Sequence, residues 1–269
     1  MTDIWRFIDS GNCSAAYNMA MDEAIAVSVR KEIVPPTLRL YGWNSLAVSI
    51  GCFQKTSDID AKYCTEKDIP IVRRLTGGRA ILHGEEVTYS FSIKTMSGLF
   101  SKGLFDSYKK ISAALILAMS KIGLSAEIML SKKNRYFLSH KAQQKTPLCL
   151  DSFSYGEITV NNKKIIGSAQ KRWTDGLLQQ GTIPLVINKK KIIRIFKLEH
   201  IYDLADSLIG LKDLFSEIDA DEFKNYIRNS FEETFNIELI PSFLSEEEIQ
   251  LAREIEVQKY MSDEWNFRR

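Results

Sequence analysis

Apolar positions recur at helical spacing in some stretches of the chain and at alternate positions in others. Tyr17, Met21, Ile25 and Val29 fall on one side of a helix that Ser14 caps and Pro35-Pro36 ends. The Met-rich stripe on that helix reads as core packing. Short runs at Thr37–Tyr41 and Leu46–Ile50 predict two strands joined by a turn around Gly42 and Asn44, and Ser57–Asp68 predicts a less regular helix. Ile69–Ile93 reads as strand, glycine-rich loop, strand, turn, strand. The strongest helical pattern is Ser107–Gly123, with Ile111, Ala114, Leu115, Ala118 and Ile122 on its apolar face and Gly123 at its C-terminal end. A strand follows at Ala126–Leu130.

Glu157–Val160 and Lys163–Ala169 form a predicted β-hairpin around the turn Asn161-Asn162, because Asn tolerates the positive φ that a two-residue turn requires. Strict alternation sets Lys164, Ile166 and Ser168 on one face and Ile165, Gly167 and Ala169 on the other. Gly176–Leu185 is a further strand element. Lys189–Lys197 starts a helix, and helices follow at Ile201–Leu208, Asp219–Thr234 and Ser245–Tyr260, the last with the capping box Ser245/Glu248. Strands before residue 190 and helices after it predict one α+β domain over residues 1–269, with 240–269 a helical C-terminal extension.

A chain of 269 residues with 45% hydrophobic and 26% charged residues has the composition of an ordinary globular protein. It has no apolar run near the ~20 residues of a bilayer span. The start MTDIWRFIDSGN is mixed and acidic, unlike a signal peptide. Together these predict a cytoplasmic protein. The net charge of +2 says little about partners, but its placement is uneven. Lys132, Lys133, Arg135, Lys141 and Lys145 lie between Ile128 and Leu150 with no acid among them. That segment reads either as a solvated loop or as a docking patch for an acidic partner. Nucleic-acid binding would need aromatics interleaved on a basic face, and the segment offers only Tyr136 and Phe137.

Two stretches carry candidate chemistry. Gly77-Gly78 lies between two strands with Arg73, Arg74, Arg79 and His83 around it, and its spacing matches neither a Walker loop nor a dinucleotide fingerprint. Lys164, followed by Ile165 and Ile166 and then Gly167, Ser168 and Ala169, suggests a cation directed at a cleft of small residues. Cys149 stands shortly upstream. The four cysteines, Cys13, Cys52, Cys64 and Cys149, match no zinc spacing. Three of them read as small buried hydrophobes, with Cys52 the second candidate thiol.

Three stretches carry a resemblance: WRFIDSGNCSAAYNMAMDEA (Trp5–Ala24), RRLTGGRAILH (Arg73–His83) and NKKIIGSAQ (Asn162–Gln170). Supporting pieces are Tyr41–Gln54, Glu85–Ser90 and Lys259–Asn266. Together they resemble the lipoate–protein ligase A, octanoyltransferase and biotin protein ligase superfamily. The likeness is closest to octanoyl-[acyl carrier protein]:protein N-octanoyltransferases with a cysteine upstream of the lysine hairpin.

The resemblance implies a biotin/lipoate protein ligase-like catalytic domain, a mixed β-sheet flanked by helices. It implies transfer of an octanoyl group from octanoyl-acyl carrier protein to a lysine of a lipoyl-accepting protein such as the glycine cleavage H protein. No cofactor, metal, nucleic acid or membrane is implied. On the family pattern Cys149 is the nucleophile and Lys164 the motif lysine. Arg74, Thr76, Gly77, Gly78, Arg79 and His83 fall on the acyl-binding loop. The backbone N–H groups around Gly167, Ser168 and Ala169 are positioned to bind an oxyanion. Two departures stand out. Arg79 replaces a third glycine found in the ligases, and Gly84 replaces an acidic residue after the histidine. The alternatives within the superfamily are an ATP-dependent lipoate–protein ligase and an amidotransferase that moves octanoyl between lipoyl domains.

Overall fold

Strand β1 (Asp3–Cys13) leads into helix α1 (Ala15–Arg30). The Ser14 hydroxyl accepts the Tyr17 N–H at 3.2 Å, pairing one of the donors that a first helical turn leaves open. β2 (Thr37–Trp43) then lies parallel to β1. This computed structural model describes residues 2–95, 98–101, 103–128, 157–198 and 208–269.

β3 (Ala47–Ile50) forms no hairpin with β2, as turn counting alone suggests it would. It joins β4 (Ile71–Arg73) and β5 (Ile81–His83) in a separate three-stranded sheet of order β4-β3-β5. The predicted helix at 57–68 is a 3₁₀ turn at Thr56–Asp58 followed by α2 (Ala61–Glu66), because Asp60 breaks the run by capping the Tyr63 N–H at 3.0 Å.

β6 (Glu86–Lys94) alternates Val87, Tyr89, Phe91 and Ile93 with the small polar residues Thr88, Ser90 and Ser92. All seven are buried, which shows that both faces of the strand are covered. Helix α3 (Leu104–Lys121), strand β7 (Ala126–Ile128) and the hairpin strands β8 (Ile158–Val160) and β9 (Lys163–Arg172) follow. Asn161 and Asn162 have φ of 50° and 59°, as the two-residue turn requires.

After β10 (Gly176–Pro184) come α4 (Lys189–Ile195) and α5 (Ala220–Phe235). The expected helix at 201–208 lies outside the described residues except for Leu208, which forms an isolated bridge with Lys164. The C-terminal part, expected to be helical from residue 240, opens with strand β11 (Ile237–Pro241). Helix α6 (Glu246–Ile255), a π-type turn at Glu256–Tyr260 and α7 (Asp263–Asn266) complete the chain. The Ser245/Glu248 capping box is present.

Among the described residues the large sheet has the order β11-β1-β2-β6-β10-β9-β8-β7. β11, β1 and β2 run parallel and the later neighbours antiparallel, so the sheet is mixed. On one side α3 and α5 bury Ile111, Leu115, Phe223 and Phe231 against Trp5, Leu38, Phe91 and Leu177. Near the opposite side α1 packs with Tyr41, Trp43 and α6. The architecture is α+β, and the gap between the large and small sheets holds the cavity described next. Among the described residues no helix is long and apolar enough to cross a membrane.

Candidate active site

The cavity between the sheets is lined by Tyr41, Trp43, Thr88, Gly167, Ser168, Ala169, Gln180, Gly181 and Thr182 of the large sheet. Ser49, Ile81 and His83 of the small sheet line it too, with Met19 of α1 and Arg74. The antiparallel pairing of β9 with β10 sets Gly167 opposite Thr182, Ser168 opposite Gly181 and Ala169 opposite Gln180. Small side chains at these positions leave a narrow space whose exposed lining is almost entirely apolar.

Of the predicted loop residues Arg74 and His83 line this space, whereas Thr76, Gly77, Gly78 and Arg79 do not; Arg74 ties the glycine loop beside it. One guanidinium nitrogen donates to the Gly77 and Arg79 carbonyls at 2.8 and 2.7 Å; the other donates to the Ser49 carbonyl and hydroxyl, both at 3.1 Å. Arg74 is 3% exposed, so it acts as an internal brace for the loop. Arg79, half-buried, supplies its carbonyl to this brace. Thr76 is closed to solvent and donates to the Gln180 Oε1 at 2.8 Å. Gly78, at φ +85°, holds its carbonyl where a side chain on Gly51 would strike it at 2.0 Å. The close approach of Gly51 and Gly78 therefore depends on the missing Cβ.

Two buried polar chains extend from the cavity. Gln180 Nε2 donates to Asp22 Oδ2 at 2.7 Å, and Asp22 also accepts from Arg39 (2.6 Å), Tyr41 (2.9 Å) and Ser90 (2.6 Å). Burial, with Asp22 beside it, holds the Tyr41 phenol well above its usual pKa. The Tyr89 hydroxyl meets Ser168 Oγ at 2.7 Å and accepts from Gln179 at 2.9 Å. Burial pushes the Tyr89 pKa up to about 12, so the phenol stays neutral.

His83 is 3% exposed and stacks on Trp43 with ring centroids 3.8 Å apart and 15° between the planes. Its Nδ1 is 2.8 Å from Glu86 Oε1 and its Nε2 is 2.7 Å from Ser49 Oγ. Glu86 also accepts from Trp43 Nε1 at 3.0 Å and from Thr88. Burial raises the Glu86 pKa, but His83 and the Thr88 and Thr182 hydroxyls outweigh burial and hold it below the usual carboxylate value. Gly84 leaves no carboxylate next to the histidine, and Glu86 faces the ring instead. A side chain at residue 84 would meet Leu46 at 2.9 Å.

Lys164 differs from its sequence-based picture. A β-bulge pairs Thr159 with Lys164 and Ile158 with Ile166, leaving Ile165 as the extra residue. Strict alternation across Lys164–Ile166 therefore fails, and the face assignments based on it do not hold. Lys164 is fully buried, donates to Glu157 Oε1 at 2.5 Å, and is not among the residues lining the cavity. It sits three residues before Gly167 on β9, roughly 10 Å along a strand. Cys149 and the basic segment 131–147 lie outside the described residues. Among the other thiols, Cys64 is buried and pushed up to about 11 by burial. Cys52 is buried with its sulfur 3.0 Å from Arg268 Nη2.

Ser49, Asp22, Glu86, Glu157 and Gln180 had not been singled out from the sequence. Only Asp22 left a signal, as a carboxylate next to the apolar stripe of α1.

The family pattern described as the lipoyl protein ligase A/B catalytic domain matches residues 14–232. Octanoyltransferase LipM of Geobacillus kaustophilus is 36% identical over 279 aligned positions, which cover 99% of both chains. The protein of that name from Bacillus subtilis is 32% identical over 276 positions, again covering 99% of both. Among solved structures, lipoate-protein ligase A bound with ATP aligns with a TM-score of 0.79 at 21% identity over 99% of both chains. A chain from the Thermoplasma acidophilum lipoylation system, described as a bipartite lipoate protein ligase and its E2 lipoyl domain, aligns with a TM-score of 0.81. It is 21% identical and covers 98% of this chain and 96% of its own. These two structures speak to the fold, and the curated relatives to the kind of enzyme. Matched along nearly its whole length by octanoyltransferases, the chain belongs to the lipoyl protein ligase A/B catalytic domain family.

Proposed function

We propose that the protein moves an octanoyl group from octanoyl-acyl carrier protein, through a thioester on Cys149, to a lysine amine of a lipoyl-accepting protein in the cytoplasm. This is the first step of building protein-bound lipoate. Its main structural support is the narrow apolar cavity under the glycine loop, lined by Gly167–Ala169 of the strand that carries Lys164. The cavity is too narrow as it stands for an octanoyl chain, so its walls would part to admit one; burying about seven methylenes at about 0.8 kcal/mol each would then contribute several kcal/mol of binding.

The Cys149 thiolate attacks the octanoyl thioester and the carrier's pantetheine thiol leaves. The acceptor amine then attacks the acyl-enzyme, loses its proton, and the Cys149 thiolate departs. The two thioesters are close in energy and the amide lies downhill, so the reaction needs no ATP. Lys164 supplies the positive charge that favours thiolate and oxyanion, and Glu157 holds it in place. Arg74, Thr76, Gly77, Gly78 and Arg79 shape the acyl site. His83 forms part of its wall, with the ring held by Glu86 and Ser49.

Intact mass spectrometry of the protein mixed with octanoyl-acyl carrier protein tests this reading. One added octanoyl on the wild type, and none on Cys149→Ala, is expected. Transfer that appears only with ATP would replace this reading with the ligase. Transfer from an octanoylated lipoyl domain but not from the carrier would replace it with the amidotransferase. Changing Lys132 and Lys133 to Glu is expected to raise KM for the carrier-bound donor and to leave a small pantetheine thioester unaffected.

A further inference from the structure

The cavity also holds a nucleophile, a base and an orienting carboxylate that the route through Cys149 does not use. We propose that Ser49, His83 and Glu86 form a serine-centred relay that accepts acyl groups bound in the cavity and slowly hydrolyses medium-chain acyl thioesters. The acyl class rests on the octanoyl-transfer reading; the choice of nucleophile rests on geometry alone.

With a neutral His83 ring, the hydrogen-bond geometry suits a nucleophile, a base and an orienting carboxylate. Ionised Glu86 can only accept, so the 2.8 Å contact takes a proton from His83 Nδ1. In the neutral ring this leaves the Nε2 lone pair facing Ser49 Oγ at 2.7 Å. Arg74 Nη1 donates to the same oxygen at 3.1 Å, so the single Ser49 hydroxyl proton is directed to His83. A hydroxyl within reach of a base that a third group orients is the working pattern of an activated nucleophile. Stacking on Trp43 fixes the ring, and the Trp43 and Thr88 donors fix Glu86. The Arg74 guanidinium favours negative charge on Ser49 Oγ and on the oxyanion that forms beside it. Ser49, His83 and Arg74 all line the cavity in which the acyl group is proposed to bind.

The step balances. Ser49 Oγ bonds to the acyl carbon while its proton passes to His83 Nε2. The C–S bond breaks and the leaving thiolate takes that proton. Water, deprotonated by His83, then attacks the ester; Ser49 recovers a proton and the carboxylate leaves. Ser49 is 1% exposed and His83 3%, so water reaches the ester only through the cavity, which keeps the hydrolysis slow.

The test uses the full chain carrying Cys149→Ala and ethyl octylphosphonofluoridate, with which a serine forms a P–O bond as fluoride leaves. Peptide mass spectrometry is expected to find the adduct on Ser49. Octanoyl-pantetheine should be hydrolysed, with Ser49→Ala abolishing the adduct, His83→Gln slowing its formation, and both variants slowing hydrolysis by about 100-fold or more. An adduct on another residue, no adduct, or hydrolysis unchanged by Ser49→Ala overturns the relay. Because Ser49→Ala also removes a partner of Arg74, Glu86→Gln serves as a second, shape-conserving variant. Slower labelling in it supports the relay, and unchanged labelling overturns it. Wild-type transfer from octanoyl-acyl carrier protein is read in a separate assay. Failure there with Ser49 labelled defeats only the transfer reading, while normal transfer with Ser49 unlabelled defeats only the relay.

Discussion

Lys164 and Glu157 are both shut off from solvent, with 0% and 4% of their side chains exposed. Removing one breaks this buried ion pair, a change that costs about 3–5 kcal/mol. Lys164→Met is therefore expected to unfold at markedly lower denaturant as well as to lose activity. Lys164→Met with Glu157→Gln should recover most of the stability and none of the activity, as urea melts and acyl transfer run in parallel would show. Glu86 carries a pH signature. Its folded pKa lies below the ordinary glutamate value, so its contribution to stability is complete above that value. The contribution is lost as pH falls through the lower folded value. Glu86→Gln is expected to flatten the acid limb of a stability-against-pH curve, and an unchanged limb would refute this. Residue by residue, the sequence exposed the groups that sit in a recognisable local setting: Ser14 before an apolar stripe, Thr76 and Gly78 in a glycine loop, the Asn161-Asn162 turn. It concealed Gln180, Ser49 and Glu157, because a polar residue on a strand reads as solvent-facing unless its distant partner is known. Gln180 reaches Asp22 across 158 positions.

Elements interact through a few close approaches. The Gly51–Gly78 contact couples the end of β3 to the glycine loop, and the Cys52 N–H donates to the Thr76 carbonyl at 2.9 Å beside it. Gly51→Ala would need the loop to shift. It is expected to raise KM for octanoyl donors about 10-fold or more, a change of about 1.4 kcal/mol, with a smaller effect on kcat, as steady-state kinetics would reveal. Most helices and strands were readable from periodicity and caps, and their boundaries differ by a few residues. β1 and β11 were not. β1 mixes charges into its apolar run, and β11 is five residues long with only Ile237 and Leu239 buried. The β2–β3 hairpin expectation failed for a different reason: two strands separated by a turn need not be partners. The bulge at Ile165 was hidden because an added residue leaves no mark on composition.

Across the whole molecule, the last helix and the residues after it hold the glycine-loop region from beneath. Asn266 accepts the Arg73 N–H at 2.8 Å, Trp265 donates to the Arg73 carbonyl at 2.7 Å, and Arg73 in turn donates to the Gly51 and Gln54 carbonyls. Asn266→Ala leaves buried groups unpaired at a cost of about 1–3 kcal/mol. It is expected to lower the melting temperature and weaken octanoyl-donor binding together, and independence of the two would argue against the coupling. The parallel pair β1–β11 carries a consequence in time. Asp3 lies opposite Ile237, so about 230 residues must leave the ribosome before the second edge of β1 meets its partner. At roughly 5–20 residues per second that is roughly 10–50 s of synthesis with the edge open. Asp3, Arg6 and Asp9 place charges along that edge, which discourages pairing with the nascent strands of neighbouring chains. Docking of Ile237–Pro241 should then be a late event of folding, followed by packing of the helices after it, and protease protection of stalled nascent chains should appear for β1 only after that segment emerges.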